Sequence, residues 1–198
     1  MKVIETAVEH LRRHELVVLP TDTVYGVAAL IHEVALQRLY EAKQRDLGKA
    51  IPVLLSAPEY VIQVASHISE IERALMDAFW PGALTLVVAK RSGVPALLSQ
   101  TDTIGVRIPD HALTRAIIEQ AGGALAVTSA NLSGQPAACT AAEAQRQLGD
   151  SVAFYVDGGR CPGGQASTVA QVQDDKIQIF RVGPITEAQL YEVGFGKK

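Results

Sequence analysis

A chain of 198 residues with 48% hydrophobic content has room for one well-cored domain, and no Pro/Ser-rich linker or charge block divides it, so a single domain over 1–198 is expected. The formal net charge of -3 excludes a generally basic nucleic-acid coat and leaves any RNA contact to local patches. Two cysteines, Cys139 and Cys161, lie far apart without metal-ligand spacing, which argues against a zinc site or disulfide framework and for a reducing compartment.

In chain order, residues 3–14 have helical apolar spacing (Val3, Ala7, Val8, Leu11), with acids among them and no signal-peptide core. No later stretch is long and apolar enough to span a bilayer, so a soluble, cytoplasmic protein is expected. A strand follows at 16–19. It ends in the polar run "PTDT", and a helix over Glu33–Gln44 comes next, with Gly48 as a stop signal. "IPVLLS" reads as a strand, 58–65 and 69–79 as helices, and "ALTLVVAK" as a strand introduced by Pro81 and Gly82. "TIGVRI" is a strand, "HALTRAIIEQA" a helix and "GALAVTS" a strand. Beyond them the pattern predicts a helix near 141–148, strands at 152–156, 167–172 and 177–181, and a short helix from Thr186. The alternation predicts an open α/β sheet with antiparallel last strands, and ligands on such sheets sit at strand ends.

Polar residues collect at those ends. "PTDT", "TSANLSG" and "ASTV" are hydroxyl-rich; one such cluster is ordinarily a cap or turn, but three at comparable sheet positions suggest a site. In "TSANLSG", Ser129, Asn131, Ser133 and Gly134 offer donors suited to an anion or a ribose. Lys43 and Arg45 are two apart, so they share a side only if the helix ends before them; Lys49 then adds a third cation. Arg107 sits inside the apolar strand "TIGVRIP" and requires an anionic partner, and Arg181 ends the last strand. His10 and His14 share a helix face beside Arg12 and Arg13, which favours an exposed face over a metal site. Trp80 reads as a packing residue and His111 as a helix start. "CPGGQAST" lacks a P-loop ending, and there is no G-x-S-x-G elbow. Hydroxyls and cations without a protein nucleophile suit phosphoryl or nucleotidyl transfer, where positioning and charge neutralisation do most of the work.

The sequence resembles the YrdC family, the threonylcarbamoyl-AMP synthases of tRNA modification. "LPTDTVYGVAA", Lys43-x-Arg45, "WPGALTLVV", "GVRIPDH", "TSANLSG", "ASTV" and "FRVGPIT" occur in the family's order and spacing. The resemblance implies a YrdC-like open twisted mixed sheet flanked by helices, with a concave ligand site at strand ends. It also implies a nucleotidyltransferase that converts L-threonine, bicarbonate and ATP to threonylcarbamoyl-AMP and pyrophosphate. Other enzymes then pass the group to adenosine 37 of tRNA, forming N6-threonylcarbamoyladenosine (t6A). By resemblance, Lys43 and Arg45 are catalytic; Arg45, Lys49, Thr103, Ser129, Asn131 and Arg181 bind ATP; and Thr23, Arg107 and Ser167 bind threonine. Tyr25 is expected to line the pocket wall. Magnesium is expected on the ATP phosphates, with no protein ligand set for it. Two positions depart from the family pattern: Leu54 stands where many members have histidine, and "PAACT", with Ala137, lacks a serine. The extra C-terminal domain of longer members is expected to be absent. The alternative is a module of the same fold that binds double-stranded RNA or tRNA without synthase activity.

Overall fold

The computed structural model describes residues 2–174 and 176–196. Met1, Asp175, Lys197 and Lys198, which fall within the expected domain span, lie outside the described residues.

Helix α1 (Lys2–Arg12) forms because Ala7, Val8 and Leu11 recur about one turn apart and are buried together. His14 lies beyond its end at φ 60°, so it does not share the helix face expected for it with His10. Strand β1 (Val17–Leu19) pairs antiparallel with a strand the sequence pattern does not announce, β2 (Gly26–Ala29). "PTDT" is therefore the connection of a hairpin. The small residues of "GVAA" hide β2, yet Gly26 is required there: a Cβ on it would stand 2.5 Å from Val127 Cγ1 on the neighbouring strand.

Helix α2 (Glu33–Lys43) ends at Gln44, which adopts the left-handed conformation at φ 49°. Strand β3 (Val53–Leu55) follows, then a 3-10 segment (Pro58–Gln63) in place of the α-helix expected at 58–65. Ser69 and Glu72 form a reciprocal capping box that opens α3 (Glu70–Phe79). Next come β4 (Leu84–Ala89), β5 (Thr103–Arg107), α4 (Ala112–Gln120) and β6 (Ala124–Ser129). Helix α5 (Ala141–Leu148), strands β7 (Phe154–Tyr155), β8 (Thr168–Gln173) and β9 (Lys176–Arg181), and helix α6 (Glu187–Phe195) complete the chain. His111 caps α4 through its side chain, and Trp80 packs in the core with Nε1 donating to Leu84 O at 2.8 Å, as expected of both.

The described strands form one mixed sheet in the order β7-β1-β2-β6-β3-β5-β4-β8-β9. Pairs β1/β7, β3/β5 and β4/β8 are parallel; the remaining neighbours, the β8/β9 hairpin included, are antiparallel. One face carries Val53, Leu55, Leu84, Leu86, Val106 and Ala126 into a core completed by Leu36 of α2, Leu75 of α3, Ala144 of α5 and Leu190 of α6. The other face carries Val17, Leu19, Ala28, Leu54, Leu125 and Val127 against α1 and α4, through Val8, Leu11, Ile117 and Ile118. Apart from packing on each other, these two helices meet the sheet chiefly at β1, β3 and β6. On that side, β4, β5 and β8 are left without a helix, and this bare area is where a site can form.

Candidate active site

A cavity of about 360 Å³ lies over the uncovered part of the sheet. Its floor is Thr85 and Val87 of β4, Gly105 of β5, Val169 of β8, and Pro52 and Leu54. Gly105 keeps the floor low, since a Cβ there would crowd Thr85 Cγ2 at 3.2 Å and Pro52 Cβ at 3.4 Å. Three arginines line the cavity: Arg45, Arg107 and Arg181.

Arg107 arrives because residues 103, 105 and 107 of β5 share one side of the strand. Its side chain is buried, and it finds the anion its setting demands within the protein. Nη2 pairs with Asp22 Oδ1 at 2.5 Å, Nη1 donates to Thr23 Oγ1 at 3.0 Å and Nε to Gly82 O at 2.8 Å. Asp22 also accepts from the Asp110 backbone N at 3.1 Å, tying the β1–β2 connection to the end of β5. Burial lowers the Arg107 pKa, Asp22 opposes that shift, and the charge of Arg181 reinforces it.

Arg181 reaches the cavity through an irregularity. Between β8 and β9 the register shifts at Val169/Ala170: Ala170 pairs with Ile179, and Val169 with Arg181. Phe180 is the extra residue of a β-bulge, and the bulge turns Arg181 from the core side, where Ile179 points, to the cavity side. There its Nε donates to Ser167 O at 2.9 Å and its Nη2 to Ser167 Oγ at 3.0 Å, while Ser167 Oγ lies 2.8 Å from Thr85 Oγ1. On the opposite wall, Arg45 is steadied by its own loop, donating from Nη2 to Ala50 O at 2.9 Å and from Nε to Lys49 O at 3.3 Å. Burial also lowers the pKa of Arg45 and of Arg181.

Thr23, Arg45, Arg107, Ser129, Ser167 and Arg181 are thus brought together around one cavity. Tyr25 lines it too, as expected; its hydroxyl donates to Gly159 O at 2.6 Å and accepts from Gly158 N at 3.1 Å, fastening the glycine-rich loop. Leu54 and Ala137, the two departures from the family pattern, both face the cavity with apolar side chains. The remaining expected residues lie outside its lining. Lys49 is exposed on the Arg45 loop, and Thr103 sits on the cavity side of β5 at its far end. Asn131 is buried in the turn after β6, its Nδ2 committed to Leu132 O at 2.9 Å and Gln135 O at 2.7 Å.

Lys43 departs most from expectation. Helix α2 does not end before it but runs through it, so Lys43 and Arg45 do not converge as two residues of an extended segment would. Lys43 is only 1% exposed, and its Nζ donates to Ser129 O and, at 2.5 Å, to Asn131 O. Burial first, then the charge of Arg45, lowers its pKa to about 8. Asp22, the partner of Arg107, is missing from the expected set; the signal for it was an arginine in an apolar strand and a carboxylate in a polar cluster. Among the described residues, no group of three or more His, Cys, Asp or Glu side chains could hold a metal ion.

Comparison with known proteins gives the site its context. The family Sua5_yciO_yrdC, described as telomere recombination, matches residues 9–183. The threonylcarbamoyl-AMP synthase of Bacillus subtilis is 35% identical over 193 residues, covering 96% of this chain and 56% of that protein. A putative threonylcarbamoyl-AMP synthase of Methanocaldococcus jannaschii is 31% identical over 185 residues, covering 93% of this chain and 87% of that protein. The crystal structure of P. abyssi Sua5 complexed with L-threonine superposes with a TM-score of 0.93 at 32% identity, over 96% of this chain and 56% of that one. E. coli YciO, at 24% identity and a TM-score of 0.82 over 92% of this chain and 90% of that one, shows the same fold. The chain therefore spans little more than half the length of some relatives and most of the length of others.

Proposed function

The chain belongs to the Sua5, YciO and YrdC family, and on that premise we propose that it makes threonylcarbamoyl-AMP from L-threonine, bicarbonate and ATP. The observation that carries the reading is the cavity itself, in which three guanidiniums converge with hydroxyls on a fold shared with a threonine-bound Sua5. Threonine's amine attacks the carbon of bicarbonate, water leaves, and a carbamate forms. A carbamate oxygen then attacks the α-phosphorus of ATP as the bond to pyrophosphate breaks. The nucleophile belongs to the substrate, so the protein has only to position and to neutralise charge.

Arg107 takes the threonine carboxylate in this reading. A guanidinium has five N–H groups, and Arg107 uses three on Gly82, Thr23 and Asp22, which leaves one on each terminal nitrogen for a two-point grip. Thr23 and Ser167 flank it. Arg45 and Arg181 face the phosphates from opposite walls, with Ser129, Asn131, Lys49 and Thr103 completing the nucleotide's surroundings. Magnesium would enter with the nucleotide, where it would neutralise charge on the phosphates. The enzyme is a nucleotidyltransferase of the cytoplasm, and its product passes to a tRNA threonylcarbamoyl transferase as the first step of t6A formation. No described helix is long and apolar enough to cross a membrane.

The test is to incubate the purified protein with ATP, bicarbonate and labelled threonine. Labelled threonylcarbamoyl-AMP and pyrophosphate should form together, and omission of threonine or bicarbonate should stop both. Cleavage to ADP and phosphate, or at an unchanged rate without threonine, would sink the assignment.

A further inference from the structure

Lys43 is tied to the turn after β6 at three points. Its Nζ donates to Ser129 O and, at 2.5 Å, to Asn131 O, and its own carbonyl accepts from Ser133 N at 3.0 Å. One residue at the end of α2 thus holds both limbs of the "SANLS" turn. The chain separates this task from that of Arg45: the left-handed conformation of Gln44 stops the helix directly after Lys43, sending Arg45 toward the cavity while the ammonium stays behind the turn. Lysine suits the place, since two converging carbonyls need a donor with more than one N–H at the tip of a long stem.

The turn so held contains two buried polar atoms with no partner, Asn131 Oδ1 and Ser133 Oγ. Asn131 Nδ2 is bound within the turn, which fixes the orientation of the orphan oxygen. Neither residue lines the cavity, so these atoms belong to the interior of the turn; what the turn presents to the cavity is Ser129.

We propose that Lys43 is a positioning residue, holding the turn after β6 so that the Ser129 side chain, which lines the cavity, meets the nucleotide, while its ammonium touches no substrate. The proposal rests on the nucleotide reading above. Its lowered pKa, about 8, is the physical cost of placing the ammonium there, and the carbonyl dipoles offset part of it.

The experiment compares the wild type with Lys43→Met and Lys43→Gln by amide hydrogen exchange, ATP calorimetry and steady-state kinetics. Lys43→Met should exchange the Ser133 amide at least about tenfold faster and raise the KM for ATP about tenfold, with a smaller change in kcat. Lys43→Gln is uncharged but keeps two N–H donors, and it should recover much of both losses. Unchanged exchange in Lys43→Met would show that Lys43 does not hold the turn, and a large fall in kcat in both variants with exchange and KM preserved would make it a catalytic contact; either result overturns the proposal. If Lys43→Met does not fold, Lys43→Gln decides alone: protection retained with activity lost is the overturning result, and protection and activity retained together the supporting one. If the wild type binds no ATP, the nucleotide reading fails, and the exchange comparison still shows whether Lys43 holds the turn.

Discussion

Two halves of one sheet face behave as different materials. Under α1 and α4 the face is Val17, Leu19, Ala28 and Leu125; beyond those helices, on β4, β5 and β9, it is Thr85, Arg107 and Arg181. The pleat and the hydrogen-bond ladder are continuous across both. Only the presence of a helix overhead differs, and Leu54 and Val127, which belong to the covered core and also line the cavity, mark the boundary. A polar side chain on a strand is costly under a helix and useful beside an open cavity, so the extent of α1 and α4 decides where this fold can do chemistry.

The sharpest way to break the contrast is Arg107→Ala. It leaves Asp22, half-buried, with only the Asp110 amide as a partner, so stability should fall by about 3 kcal/mol in urea denaturation, and threonine binding should be lost with it. Asp22→Asn in the same chain should restore part of the stability; an unshifted denaturation midpoint in Arg107→Ala would show that the pair is dispensable. In the covered half, Leu125→Ala should cost about 2–4 kcal/mol by cavity formation, yet leave the ligand affinity of the folded protein unchanged in calorimetry. A changed affinity there would mean the two halves are coupled. Arg45→Ala is the converse: it should weaken ATP binding by about 1.5–3 kcal/mol while the melting midpoint stays put, because its bonds hold only its own loop.

The smallest effect concerns pH. Lys43 has a folded-state pKa of about 8 against an ordinary 10.5, so above pH 8 the unfolded chain binds the proton that the folded chain has released. Stability contributed by this group must then rise with pH through that window, by about 1 kcal/mol between pH 7 and 9. The measurement is the difference in unfolding free energy between wild type and Lys43→Gln at the two pH values; a flat difference would show that burial does not perturb the lysine.

The helices and most strands were legible because their apolar spacing and caps are local, as in Ser69–Glu72 opening α3. Arg107 was legible as an arginine in need of an anion, but Asp22 lies 85 residues away in the chain, and no local pattern reports such a pairing. Lys43 was misplaced because Gln44, not Gly48, takes the left-handed turn, and glutamine gives no warning of it. Strand β2 was hidden by residues too small to declare a strand, which the close approach to Val127 demands. Arg181 was found, but its aim depends on a bulge that only the pairing with β8 creates.

That bulge also fixes where this chain can change length. Loss of one residue ordinarily turns the rest of a strand inside out, moving its core set into solvent. At Phe180 the strand already holds one residue too many, and that residue is 53% exposed. Deleting it would leave Ile179 opposite Ala170 and Arg181 opposite Val169, the pairs that exist now, in an ordinary ladder. A single-codon deletion at this position should therefore leave Arg181 over the same cavity, where the same loss in an unbulged strand would turn its side chains to the wrong face.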